Sequence, residues 1–261
     1  MPMRDPILQV NDLSVGYDGV ALGSGISFTV SPGELVALIG PNGAGKTTII
    51  KTLSRQIRPI SGEIRLDGRP VSEMSNRDIA RTMSLVMTTR IDPELMTCED
   101  MVSTGRHPYT GLLGILSEED KKIVRESMEL VHVAELKDRL FARISDGQRQ
   151  RVMLARAICQ QPKLLIMDEP TSYLDIKYKL EMLRMVRDLV EHKDLAVLIS
   201  MHEIELASKA ADTMVCIRGA EVDRIGPPEE IFTAEYISHL YDISVAGYNW
   251  LYGTEKDLSK V

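Results

Sequence analysis

The chain predicts an α/β fold: a mixed β-sheet around a phosphate-binding loop, with an antiparallel β portion and an inserted helical subdomain. Three observations carry this. The apolar run Leu35 to Ile39 reads as a buried strand, leads into Gly40-Pro41-Asn42-Gly43-Ala44-Gly45-Lys46-Thr47, and is followed by a helix start at Thr48 to Leu53. After residue 148, strand and helix patterns alternate, as in a parallel sheet covered by helices. Between these parts, residues 74–141 read mostly as helix and loop.

Taken in order, Ile7 to Val15 and Ile26 to Val30 read as strands, and Ser31-Pro32-Gly33-Glu34 turns the chain into the loop-bearing strand. A short strand between Gly62 and Gly68 completes an antiparallel portion. Ser75-x-x-Asp78, Thr97-x-x-Asp100 and Ser117-x-x-Asp120 each pair a capping hydroxyl with an acidic residue three positions on, marking three helix starts. A helix is expected at Gln148 to Gln160, a strand at Leu164 to Asp168 and a helix at Ile176 to Val190. A strand at Leu195 to Ser200 and a helix at Glu203 to Ala210 follow. The hairpin Thr213 to Ile217 and Val222 to Ile225 turns at Gly219-Ala220, before a short helix at Pro228 to Phe232. The expected organisation is one domain over 1–261, with a helical subdomain at about 74–160 and a C-terminal extension at about 236–261.

With 261 residues, 44% of them hydrophobic, the chain can bury a substantial core. A formal charge of -7 gives no general attraction to polyanions, so no nucleic acid partner is expected. Cys98, Cys159 and Cys216 have neither zinc-ligand spacing nor an even disulfide framework, and read as reduced, buried thiols. The first residues lack an apolar secretion segment, and no later run reaches the roughly 18 apolar residues of a spanning helix. A cytosolic chain, held at a membrane only through a partner, is expected.

The loop carries the clearest chemistry. Gly40, Gly43 and Gly45 let successive backbone N–H groups face phosphate oxygens, with Asn42, Ala44 and Thr48 completing the cradle. Lys46 supplies a compact charge for the terminal phosphates, the Thr47 hydroxyl can ligate Mg²⁺, and the following helix adds its dipole. Asp168 and Glu169 end an apolar strand, a costly place for two carboxylates unless ligands or hydrogen bonds satisfy them. Asp168 suits the Mg²⁺ shell and Glu169 the attacking water of a phosphoryl transfer. A nucleoside triphosphate and Mg²⁺ are the expected ligands.

Ile144-Ser145-Asp146-Gly147-Gln148, followed by Arg149-Gln150-Arg151, resembles the Leu-Ser-Gly-Gly-Gln signature of ATP-binding cassette (ABC) proteins, with Ile for Leu and Asp for the first Gly. The run Asp168-Glu169-Pro170-Thr171-Ser172-Tyr173-Leu174-Asp175 is similar to that family's second phosphate-site motif and D-loop. His202 matches its switch histidine, and Tyr17 the aromatic position that stacks on adenine. The resemblance implies a P-loop NTPase core and an Mg-dependent ATPase. It also implies head-to-tail pairing with a second copy, in which Ser145, Gly147 and Gln148 of one chain enclose ATP bound by the other. The chain departs from the family after the strand its members carry near Ser84 to Met87: Thr88 stands where a glutamine is usual, and its shorter hydroxyl is expected to reach Mg²⁺ only through water or a backbone shift, which puts the coupling contact in doubt. The other histidines singled out, His107, His132 and His192, have no comparable setting.

Met96-Thr97-Cys98-Glu99-Asp100-Met101-Val102 and Gly105-Arg106-His107-Pro108-Tyr109 resemble a segment of importer subunits for iron chelates, haem and cobalamin. That implies permease docking near Tyr109, indirect service to a periplasmic substrate-binding protein, and a peripheral position on the cytoplasmic face of the membrane. Ferric siderophore is the leading cargo, with haem or cobalamin close behind. The rivals are a soluble ABC ATPase of DNA repair or chromosome organisation, disfavoured by the lack of a coiled-coil insertion or basic stripe, and a non-hydrolysing ATP-driven dimerisation module.

Overall fold

The computed structural model describes residues 5–87, 93–111, 114–172 and 174–253. Thr88, Tyr173 and the chain after Gly253 lie outside them, so the expectation for Thr88 has no structural description.

Two sheets form the frame. The first is antiparallel, in the order β2 (Val20–Val30), β1 (Leu8–Tyr17), β4 (Ser61–Leu66) and β5 (Arg69–Pro70). β1 and β2 are longer than the sequence suggests. They close at Asp18-Gly19, whose φ values of 50° and 78° suit the two-residue turn of a tight hairpin. The first half of β2 has exposed positions and two glycines, Gly23 and Gly25, which hide its alternation.

The second sheet has the order β10 (Glu221–Gly226), β9 (Thr213–Arg218), β3 (Leu35–Ile39), β8 (Ala196–Ser200), β7 (Leu164–Asp168) and β6 (Met83–Val86). All pairs are parallel except β9–β10. Its inner strands β3, β8 and β7 are buried along their whole length because both faces are covered. Leu35, Ala37 and Ile39 face one apolar cluster, and Val36 and Leu38 face the other. β6 falls inside the stretch 74–160 yet belongs to this sheet.

α1 (Lys46–Leu53) packs on the side of the antiparallel sheet through Ile49, Ile50 and Leu53. The opposite cluster takes α3 (Cys98–Ser103), α4 (Glu118–Leu130), α5 (Asp146–Cys159), α6 (Ile176–Lys193) and α7 (Ile204–Ala210). The three predicted caps form: Ser75 accepts from the Asp78 N–H at the start of α2 (Asn76–Thr82), and Thr97 and Ser117 close reciprocal capping boxes. α8 (Pro228–Ile231) matches the short helix expected there. α9 (Ala234–Tyr241) and α10 (Val245–Tyr252) do not follow from the sequence patterns; their caps, Thr233 and Ser244, lack an acidic residue three positions on. All three cysteines are buried and unpaired. Among the described residues, no helix is long and apolar enough to cross a membrane.

Candidate nucleotide site

Strand β3 delivers the phosphate loop to the carboxyl edge of the parallel sheet, where ligand crevices form. A cavity of about 510 Å³ opens there, lined by Asn42, Gly43, Ala44, Gly45, Lys46, Thr47 and Thr48, and across from them by Glu169 and His202. Gly43 and Gly45 have φ of 77° and 91°, a conformation glycine holds without the steric cost of a β-carbon. α1 starts without a side-chain cap, leaving the N–H groups of its first turn for a ligand.

Lys46 is buried, and its Nζ donates to the carbonyls of Gly40 at 2.6 Å and Pro41 at 3.0 Å. Burial pushes its pKa below the ordinary 10.5, while Glu169 and then Asp168 oppose that shift. Thr47 Oγ1 lies 3.5 Å from Asp168 Oδ1. This all-oxygen pair beside a phosphate cradle fits Mg²⁺, a hard cation usually held by one or two carboxylates together with substrate phosphates.

The strand ends fix both carboxylates. Asp168 and Ser200 are register partners on β7 and β8, and the buried Ser200 hydroxyl donates to Asp168 Oδ1 at 2.6 Å. The Ser200 Oγ in turn accepts the Glu169 N–H at 3.0 Å, and the Ser200 carbonyl accepts it at 3.2 Å. Glu169 is thereby held at φ 49°, a left-handed conformation that costs a non-glycine residue on the order of 1 kcal/mol. Its Oε1 meets His202 Nε2 at 2.5 Å, and Ser172 donates to its Oε2 at 3.3 Å.

The structure therefore brings Lys46, Thr47, Asp168, Glu169 and His202 together. Tyr17 stands 46% exposed at the end of β1 and is not among the described residues lining the cavity; Leu22 on β2 is, with Gly219 and Ala220. Ser145, Gly147 and Gln148 also lie outside the cavity lining. Ser145 and Gln148 close a capping box at the start of α5, and Gly147 is buried against the Tyr178 ring, where a β-carbon would sit 2.9 Å away. Ser200, Leu22, Gly219 and Ala220 carry no sequence motif. Only strand register would have pointed to Ser200.

The profile of the ABC transporter family matches residues 24–172, more than half of the chain. The chain belongs to the ABC transporter family. This ABC protein is 42% identical to an uncharacterized ABC transporter ATP-binding protein of Methanocaldococcus jannaschii, over 95% of this chain and 85% of that one. It is 33% identical to the iron(3+)-hydroxamate import ATP-binding protein of Bacillus subtilis, over 90% of this chain and 88% of that one. A solved structure described as the ATP binding subunit of an ABC transporter superposes with a TM-score of 0.76 at 26% identity, covering 95% of this ABC chain and all of the other.

Proposed function

We propose that the chain is the ATP-hydrolysing subunit of an importer, most simply one for ferric siderophore, with haem or cobalamin as the nearest other cargoes. The observation that carries the activity is the meeting of Lys46, Glu169 and His202 in one cavity at the head of α1. The cargo rests on the iron(3+)-hydroxamate importer relative. In this reading the loop amides hold the phosphates, and Lys46 exchanges the carbonyls of Gly40 and Pro41 for phosphate oxygens. Thr47 and Asp168 would hold Mg²⁺, which when bound neutralises phosphate charge. Glu169, fixed by Ser200 and His202, orients the water that attacks the terminal phosphate. Tyr17, by its match to the family's aromatic position, stacks on adenine.

Ser145, Gly147 and Gln148 act on the second copy's nucleotide in a head-to-tail pair, a role that rests on their match to the family's signature motif. Permease subunits dock near Tyr109, whose ring packs against the Arg81 and Arg106 guanidiniums and whose hydroxyl donates to the Gln160 carbonyl at 3.0 Å. Beside it runs a groove of about 720 Å³ lined by Lys51, Arg55 and Arg156, with no carboxylate among its described lining residues. That charge suits an acidic permease segment. The periplasmic binding protein acts through the permease, which holds the chain on the cytoplasmic face.

The test is phosphate release from MgATP by the purified chain, alone and copurified with the encoded permease. Hydrolysis stimulated by the permease, together with iron-chelate uptake by the assembled transporter, is expected. A chain that neither releases phosphate nor copurifies refutes the reading.

A further inference from the structure

The turn between β9 and β10 reaches the phosphate loop from the side of β3 opposite β8. Its fit is close at three points. A β-carbon on Gly40 would sit 2.1 Å from the Ile217 carbonyl oxygen, and one on Gly45 would sit 2.9 Å from the Ala220 methyl. On the far side, a β-carbon on Gly23 of β2 would sit 2.5 Å from the same methyl. The Ala220 methyl is thus wedged between a strand of the antiparallel sheet and Gly45, the N-cap of α1. Ala220 is 5% exposed and, with Gly219, lines the nucleotide cavity.

Its backbone makes the contact more telling. Ala220 has φ 61°, a conformation that glycine adopts without the β-carbon's steric cost. The position carries a methyl group where the backbone alone favours none. The turn is also backed from behind by α9, through Arg218 Nη1 and His239 Nε2 at 3.0 Å and the Tyr236 hydroxyl donating to Asp223 at 2.7 Å. Gly45, by contrast, can visit many φ values, so its 91° needs a neighbour to hold it.

We infer that Ala220 is a positioning residue whose methyl pegs Gly45 against β2 and keeps the phosphate cradle in its binding shape before nucleotide arrives. The inference rests on the reading of the cavity as the ATP site. A loop that spends only part of its time in the competent shape binds more weakly by that fraction, so removing the peg costs affinity.

The experiment titrates Mg²⁺ and the fluorescent analogue MANT-ATP onto the full chain as wild type, A220G and A220S. A220G is expected to bind about three- to tenfold more weakly. Its thermal midpoint should hold or rise, because glycine relieves the left-handed strain. Amide hydrogen exchange across residues 40–48 of nucleotide-free A220G should quicken. A220S, which keeps the β-carbon, should lose less affinity and quicken that exchange less than A220G does. Wild-type affinity in A220G, or an equal loss in A220S, overturns the inference. If the wild type itself fails to bind MANT-ATP, the ATP reading falls, and hydrogen exchange decides the peg: unchanged exchange in A220G rejects it.

Discussion

Glu169 and Lys46 do opposite work from opposite walls of the cavity, and their substitutions should separate binding from hydrolysis. E169Q keeps the phosphate cradle and removes the carboxylate, so ATP affinity should hold while phosphate release falls by about a hundredfold or more. S200A touches no cavity wall, yet it removes the hydroxyl that bonds both Asp168 and Glu169. A loss of about 1–3 kcal/mol in apparent transition-state stabilisation, read from kcat/KM for phosphate release, is expected. Lys46 adds a pH signature. Because burial lowers its pKa, the nucleotide-free chain sheds this proton at a lower pH than the unfolded chain does, and charged Lys46 costs stability below that lowered value. Stability from this group therefore rises as pH climbs from the lowered value towards 10.5. A bound polyphosphate favours the ammonium form, so MgATP affinity should fall over the same alkaline window. Affinity that stays flat from neutral pH through 10.5 would contradict the placement of Lys46 against the phosphates.

Among the elements, the start of α4 joins two functions in one side chain. Asp120 completes the Ser117 capping box and also accepts from Arg106 Nε at 2.8 Å, while Arg106 Nη1 reaches the Cys159 carbonyl at the end of α5. The Arg106–Asp120 pair is buried, so R106A leaves a buried carboxylate with only its Ser117 bonds and takes a donor from the Cys159 carbonyl, and should cost about 3–5 kcal/mol in denaturant unfolding. The Ser117 hydroxyl first, then Arg106, hold Asp120 below its ordinary 3.8 against the opposing effect of burial. Its stabilisation is complete above pH 3.8 and is lost as pH falls through the lowered value. The caps at Thr97 and Ser117 were legible in the sequence because a cap is local: a hydroxyl and an acid three residues apart suffice. The phosphate loop was legible for the same reason. Ser200 was not, because its partnership with Asp168 exists only once β7 and β8 are in register. Ala220 was hidden too, since an alanine in a left-handed turn carries no compositional signal. The exposed half of β2 and the aromatic α9 and α10 lack the periodicity that separates strand from helix.

At the scale of the whole molecule, the proposed pairing predicts that E169Q with ATP elutes as a dimer in size exclusion with light scattering, and without nucleotide as a monomer. A monomer in both conditions would remove the head-to-tail arrangement. The three buried cysteines supply a way to watch such changes without adding a probe. Cys98 begins α3, Cys159 ends α5, and Cys216 on β9 is the register partner of Ile39, the last residue before the phosphate loop. Burial pushes the Cys159 and Cys216 thiols up to about 11, so neither reacts readily while its surroundings stay closed. Each thiol is therefore a clock for the opening of its own region. Labelling by a maleimide, resolved peptide by peptide, would time the breathing of the helical arm and of the nucleotide core separately in one untagged, unmutated chain, with saturating MgATP slowing Cys216 more than Cys98.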